Sequence, residues 1–353
     1  MDASIPTLVL GGSGYVAGEL LRLIAAHPRF ELPAVMSESR PGELVAHAFP
    51  HLASAYGDTR FSSQAAIEDR LTHLPMAAVF SAAPHGAAAA LIDALLAKAL
   101  QAGTRAHVVD ISADFRHRSA QAFESIYRQA HAAPARIGEF TCALPEHLAT
   151  LGTEHVAHPG CFATATLLAA VPLMALKLSA ARLFVAGITG STGSGRKSGD
   201  GTHHPLRHSD LYAYNALAHR HVPEMQDGVR AACGAEVDIA FVPHSGPFAR
   251  GIHVTVQAEL TAAYDTAHVL AALRSFYAHA PFVRILDQPP RMKDVVASNY
   301  AHLSATTNGR TVAVLCVIDN LTKGAAGGAL QWMNRMFDLP ETTGLTAPAP
   351  GWT

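Results

Sequence analysis

The segment His158-Pro159-Gly160-Cys161-Phe162-Ala163-Thr164-Ala165-Thr166 sets a cysteine after a Pro-Gly turn, at the mouth of an apolar, helix-like run from Leu167 to Leu178. A helix N-terminus carries partial positive charge and N–H groups without intrahelical acceptors, so a thiol placed there is pushed toward thiolate. The same N–H groups can hold the oxyanion formed when a thiolate attacks an acyl carbon. Near the start stands a second chemical element, Leu8-Val9-Leu10-Gly11-Gly12-Ser13-Gly14-Tyr15, which reads as a strand entering a glycine loop and then a helix. In that context glycines let backbone approach a pyrophosphate, which then sits on the helix N-terminus. A nucleophilic cysteine combined with a dinucleotide loop implies reduction or oxidation of an acyl group held as a thioester. Each signal also has a plainer meaning. A cysteine is often a small buried hydrophobe, and Gly11-x-x-Gly14, with Ala17 where a third glycine is expected and Gly18 one place later, also suits a tight turn without ligand.

The elements that would position these groups fall into two patterns. Short β-like runs at 7–10, 31–36, 77–82 and 107–111 alternate with Ala/Leu-rich helical stretches at 17–27 and 87–102. Such alternation implies a parallel, doubly wound sheet with its ligand at the carboxyl ends of the strands. After Cys161 the β-runs lengthen, at 182–189, 236–243, 251–260 and 311–319, with helices near 223–233 and 267–277. That pattern implies an α+β domain with a mostly antiparallel sheet. A last helix is expected over 324–337, followed by an extended or mobile Pro/Thr/Gly-rich tail over 340–353. The expected division is a discontinuous, Rossmann-like nucleotide domain of 1–158 with 322–353, and a catalytic and oligomerisation domain of 159–321.

Composition narrows the class. The 353 residues are 49% hydrophobic with formal net charge −2, which suits two packed domains and offers no basic footprint for nucleic acid or an anionic membrane. Cys142, Cys161, Cys233 and Cys316 form no C-x-x-C pair, arguing against a disulfide framework and against a structural zinc site. His203, His204 and His208 lack a cysteine or carboxylate to complete a tetrahedral set, so no metal is expected. No signal peptide and no bilayer-length apolar run is legible, and a cytoplasmic location is expected. After the second strand, Ser37, Ser39 and Arg40 suit a 2′-phosphate and hence NADP, whereas Glu38 would clasp the ribose hydroxyl of NAD.

The chain resembles the N-acetyl-γ-glutamyl-phosphate reductases, arginine-biosynthesis relatives of aspartate-semialdehyde dehydrogenase. The matching motifs run nearly end to end: 11–22, Pro84-His85-Gly86, 110–116, Leu144-Pro145-Glu146, Pro159-Gly160-Cys161, 190–197, His219-Arg220-His221-Val222-Pro223-Glu224, 243–252 and 319–326. His158 and Phe162 stand where the family often has Asn and Tyr, and 201–207 also looks like reductases of a carrier-protein-linked aminoadipyl phosphate. The resemblance implies NADPH-dependent reduction of N-acetyl-γ-glutamyl phosphate to the semialdehyde through a Cys161 thioester. The alternatives are a carrier-protein-linked reductase, an aspartate-semialdehyde dehydrogenase, and an NADP sensor without catalysis.

By the same resemblance His219, then His221, serves as acid/base. Arg116, Arg207, Arg250 and Lys197 would bind the substrate's carboxylate and phosphate. Gly11, Ser13, Gly14, Tyr15, Val16, Ser37, Ser39 and Arg40 would hold NADP, with Ser191, Gly193 and Asn320 at its nicotinamide end. The expected partners are a small acyl phosphate and further copies of the chain, as a dimer or tetramer.

Overall fold

The protein is described by a computed structural model over residues 4–352. It divides into two compact units, one comprising the chain up to Cys142, Thr150–His158 and Ala326–Leu345, the other Ala143–Ala149, Pro159–Ala325 and the chain from Thr346. Sequence alone gives 143–149 and the whole tail to the first domain. In the structure Leu144 joins the hydrophobic core of the second unit, and the Lys323 ammonium pairs with Glu146 at 2.5 Å, both side chains fully buried.

The first unit holds a six-stranded sheet of β1 (Ile5–Leu10), β2 (Phe30–Val35), β3 (Met76–Ser81), β4 (Arg105–Asp110), β5 (Phe140–Cys142) and β6 (His155–Ala157) in the order β2-β1-β3-β4-β6-β5. Every pairing is parallel, as the alternation of strands and helices requires. Leu8, Val9, Val79, Phe80, Val108 and Val109 are fully buried, the mark of strands covered on both faces. The helix Tyr15–Ala25 buries Leu20, Leu21, Leu23 and Ile24. The strand order reverses between β1 and β3, so the glycine loop that leaves β1 lies at the switch point, where open parallel sheets bind ligands. The helices Gln64–Thr72 and Ala120–Tyr127, each N-capped by a serine (Ser63, Ser119), and the three-residue β5 and β6 have no legible period in the sequence. Residues 340–345 are packed rather than mobile. Asn334 donates its side-chain amide to the Glu341 and Thr343 carbonyls at 3.2 and 2.9 Å, and Leu345 is 2% exposed.

The second unit is built on a seven-stranded sheet of β7 (Arg182–Thr189), β8 (Tyr212–Ala213), β9 (Asp238–Ser245), β10 (Ile252–Glu259), β11 (Val283–Ile285), β12 (Ala301–Thr307) and β13 (Thr311–Ile318), ordered β11-β12-β13-β10-β7-β9-β8. The sheet is mixed but mostly antiparallel, with only β11/β12 and β7/β9 parallel. Alternate residues of β10, Ile252, Val254, Val256 and Ala258, point into the core. They meet the helix Cys161–Ala175, which is buried at every position from Phe162 to Met174 and so is apolar all round. That helix starts at the cysteine itself, six residues before the apolar run that announces it in the sequence. The closing helix, expected over 324–337, is Gly327–Met336 preceded by a π-helical turn, Thr322–Ala326. Among the described residues no helix is long and apolar enough to cross a membrane.

Candidate active site

In the first unit the glycines of the loop after β1 have separable causes. Gly11 has φ +73°, and a Cβ there would lie 2.4 Å from the Ala83 nitrogen. A Cβ on Gly12 would strike Val35 at 2.3 Å. Both therefore let the loop pack against the chain leaving β2 and β3. Gly14 differs, since a Cβ there would meet nothing within 4 Å, and as N-cap of the helix Tyr15–Ala25 it supplies no side-chain acceptor. This helix thus begins without a side-chain cap, the kind of N-terminus that can hold a pyrophosphate. A Cβ on Gly18 would stand 2.6 Å from the Phe49 ring, so its job is close helix packing. Ser13 and Val16 are half-buried and Tyr15 is 39% exposed. Past β2, Ser37 is buried and its hydroxyl lies 3.4 Å from that of Ser39. Glu38 is exposed, and Arg40 pairs with Glu43 at 2.9 Å on the same loop.

The motifs 84–86 and 110–116 form one network at the carboxyl ends of β3 and β4. Asp114 accepts the N–H groups of Gly86 and Ala89 at 2.7 and 2.9 Å, while Ala113 donates its N–H to the His85 imidazole at 2.9 Å. Burial pushes the Asp110 carboxyl up to about 6. The Asp110 carbonyl accepts the His158 N–H at 2.7 Å. Arg116, 6% exposed, donates to the backbone carbonyls of His158 and Ile111 at 2.8 and 2.6 Å. Its guanidinium therefore grips the backbone just before the Pro-Gly turn.

In the second unit Cys161 is the first residue of its helix, partly exposed, behind a Gly160 N-cap without a side-chain acceptor. His219 and His221 lie just ahead of the helix Val222–Cys233, their ring centroids 4.7 Å apart. His219 stands in an aromatic box, with Phe162, Phe241 and Tyr214 at centroid distances of 5.8, 5.4 and 5.7 Å. Burial there, with the Arg220 charge adding to it, pushes its pKa down to about 4. The neutral ring accepts the His221 N–H on Nδ1 at 3.2 Å, which fixes its proton on Nε2. His219 thus offers an N–H donor at neutral pH. The box explains Phe162, because a ring facing apolar neighbours needs no hydroxyl.

The remaining candidates separate by partner. Arg207, 8% exposed, donates to the carbonyls of Asp210, Ser245 and Gly246. Arg250 makes a bidentate pair with Asp319 at 2.9 Å on both arms. Lys197 is exposed. Asn320, 2% exposed, accepts the Gly251 N–H at 2.7 Å and donates to the Thr192 hydroxyl at 3.0 Å. It thereby joins the Ser191–Ser194 turn, which carries Ser191 and Gly193, to the chain around Arg250. Tyr214 and Phe241 were not legible as site residues, since nothing in their local sequence marks them and only the folding of β9 beside the nucleophile helix brings them to His219.

Residues 7–156 match the NAD binding domain of the semialdehyde dehydrogenases and residues 161–320 their dimerisation domain. The chain is 39% identical to an N-acetyl-γ-glutamyl-phosphate reductase of Ectopseudomonas mendocina, covering 97% of this chain and 98% of the relative. It is 38% identical to the reductase of that name from Azotobacter vinelandii, over 97% and 98% of the two chains. Among solved structures, aspartate semialdehyde dehydrogenase II of Vibrio cholerae superposes with TM-score 0.69 at 14% identity, covering 96% of this chain and 99% of its own. The Candida albicans aspartate semialdehyde dehydrogenase, solved with NADP, gives 0.63 at 14% identity over 95% and 99%. These two likenesses concern the fold.

Proposed function

This chain belongs to the N-acetyl-γ-glutamyl-phosphate reductase family of semialdehyde dehydrogenases, and on that footing we propose that it reduces N-acetyl-γ-glutamyl phosphate to N-acetylglutamate semialdehyde with release of phosphate, using NADPH. The observation that carries the reading is the position of Cys161, first residue of a buried helix whose N-cap, Gly160, supplies no side-chain acceptor.

The Cys161 thiolate attacks the acyl carbon, a C–S bond forms, and the bond to the phosphate oxygen breaks. The N–H groups of the helix's first turn and the His219 Nε2–H hold the developing oxyanion. NADPH supplies the hydride that turns the thioester carbon into that of an aldehyde. Collapse of the resulting alkoxide breaks the C–S bond and returns the thiolate, so the one proton the reaction consumes goes to the departing phosphate. A neutral donor at His219 and an acid/base at His221 meet these needs. Gly11, Ser13, Gly14, Tyr15 and Val16 receive the pyrophosphate, and Ser37, Ser39 and Arg40 the 2′-phosphate. Ser191, Gly193 and Asn320 serve the nicotinamide end. Lys197 and Arg250 meet the substrate's anionic groups, whereas Arg116 and Arg207 hold the backbone around them. The working form is a homo-oligomer, a dimer or tetramer, through the second unit.

The test runs the reaction backward. N-acetylglutamate semialdehyde and NADP without phosphate should give about one NADPH per site and, after quenching, an acyl adduct on the peptide carrying Cys161. Turnover without that adduct would end the thioester mechanism. Faster oxidation of aspartate semialdehyde or a succinylated analogue would reassign the substrate.

A further inference from the structure

Two residues to which the reaction gives no role pack against the turn that carries the nucleophile. Glu224, 2% exposed, accepts the backbone N–H of Gly160, the residue before Cys161, at 2.5 Å across 64 positions of sequence. It sits in the first turn of the helix Val222–Cys233, whose N-cap is His221. One carboxyl therefore ties the start of the nucleophile helix to the start of the helix that carries the His219–His221 segment. It also occupies the Gly160 N–H, which leaves oxyanion binding to the N–H groups of the helix's first turn.

Gly324 lies against Cys161 itself. A Cβ there would stand 2.7 Å from the Cys161 Cβ and 3.1 Å from its Cα. Its φ lies outside the left-handed region, so glycine is needed for space and not for backbone freedom. The shelf cannot retreat. The Gly324 N–H donates to the Asp319 carbonyl at 2.9 Å, and the Asp319 carboxylate accepts the N–H groups of Ala297, Leu321 and Thr322 at 2.7, 2.8 and 2.8 Å. The neighbouring Lys323 is held by Glu146, both side chains fully buried.

We propose that Glu224 and Gly324 are positioning residues for the nucleophile, the first holding the turn before Cys161 and the second closing the space behind it, so that together they set the direction of the thiol. This rests on Cys161 being the nucleophile. Because Glu224 acts as a hydrogen-bond acceptor in this role, glutamine, whose amide oxygen occupies the same place, substitutes for it and alanine does not.

The test compares Glu224→Ala, Glu224→Gln and Gly324→Ala in the full chain. Displacing a reacting group by about 1 Å costs on the order of a hundredfold. Glu224→Ala and Gly324→Ala should therefore lower kcat by about 10- to 100-fold with KM changed less than about threefold, and Glu224→Gln should stay within about threefold of wild type. The second readout is the pH profile of Cys161 alkylation by iodoacetamide, which needs no substrate. Its midpoint should rise in both alanine variants, because the thiol leaves the helix N-terminus, and stay in place in Glu224→Gln. Wild-type kcat and alkylation in the alanine variants would overturn the proposal, as would a Glu224→Gln variant as impaired as Glu224→Ala. If Glu224→Ala does not fold, Gly324→Ala decides by the same criteria. Failure of the wild type to form the acyl adduct refutes the function and leaves the alkylation profiles to judge the positioning.

Discussion

Five helices of this chain can be compared by how their first turn is closed. Three begin behind side-chain caps, Ser63, Ser119 and Asp265, each accepting a backbone N–H. The glycine-loop helix Tyr15–Ala25 and the nucleophile helix Cys161–Ala175 begin behind Gly14 and Gly160, which offer none. A side-chain cap stabilises a helix by about 0.5–2 kcal/mol. The helices Ala88–Ala102, Val222–Cys233 and Gly327–Met336 also begin without one, but of the uncapped starts only the two behind glycine are assigned to a pyrophosphate and to an oxyanion. The pair also differs. Gly14 opens onto space, as suits a ligand that comes and goes, whereas the Gly160 N–H is taken by Glu224, as suits a covalent centre that must not move. A missing side-chain cap alone therefore marks no site; what separates these two helix starts is what meets the glycine at each.

The comparison can be broken at either end. The largest effect belongs to the nucleophile. Cys161→Ser should lower kcat by more than about 10⁴-fold, since an alcohol lacks the thiol's low pKa, and leave the NADP dissociation constant unchanged. Comparable turnover in the serine variant would remove the distinction between the two helix starts. His219→Asn should lower kcat by about 10²–10⁴-fold. Because burial keeps its pKa near 4, that loss should be uniform from about pH 6 to 9. A loss that varies with pH around the ordinary histidine value would identify a titrating base instead of a neutral donor.

At the nucleotide end, Arg40→Ala should weaken NADP by about ten- to a hundredfold, the worth of a charge-assisted contact, with NAD nearly unchanged. Equal weakening of both nucleotides would move the ribose contact to Glu38. Gly14→Asp should cap the glycine-loop helix and raise the melting temperature while weakening NADP and NAD alike, by repulsion of the pyrophosphate. Tighter binding in that variant would show that the open N-terminus is not the anion site. The smallest effect comes from acid. Burial is the first cause that lowers the pKa of both His27 and His219 from 6.5 to about 4. The unfolded chain therefore binds more protons than the folded one between these values. The stability due to the neutral rings is whole above 6.5 and is lost as pH falls toward 4. Melting temperature should drop over that interval by several degrees, at roughly 2–4 °C per kcal/mol for a domain of this size, and a flat profile would place both rings in solvent.

Sequence by itself determined the two-part α/β and α+β architecture, the glycine loop, the cysteine and the family. Each is written in a local pattern: alternation of strand and helix, glycines after a strand, a thiol after Pro-Gly, and ordered motifs along the whole chain. Long periodic elements such as β7, β10 and β13 were legible for the same reason. β5, β6 and β11, with three residues each, were not, because so short a strand exists only through its neighbour's hydrogen bonds. β12 was hidden by its own polarity, its serine, threonines and histidine being fixed as strand by β13. What only the tertiary structure decided is partnership. Arg116, Arg207 and Arg250 look alike in the sequence as anion ligands, yet the fold turns Arg116 and Arg207 onto backbone carbonyls and leaves only Arg250, paired with Asp319 but 24% exposed, as the arginine proposed to meet substrate. His219 is an ordinary histidine in the sequence. Its proton is placed by Phe162, Phe241 and one backbone N–H, because a pKa is set by burial and neighbours, which are brought together from distant parts of the chain.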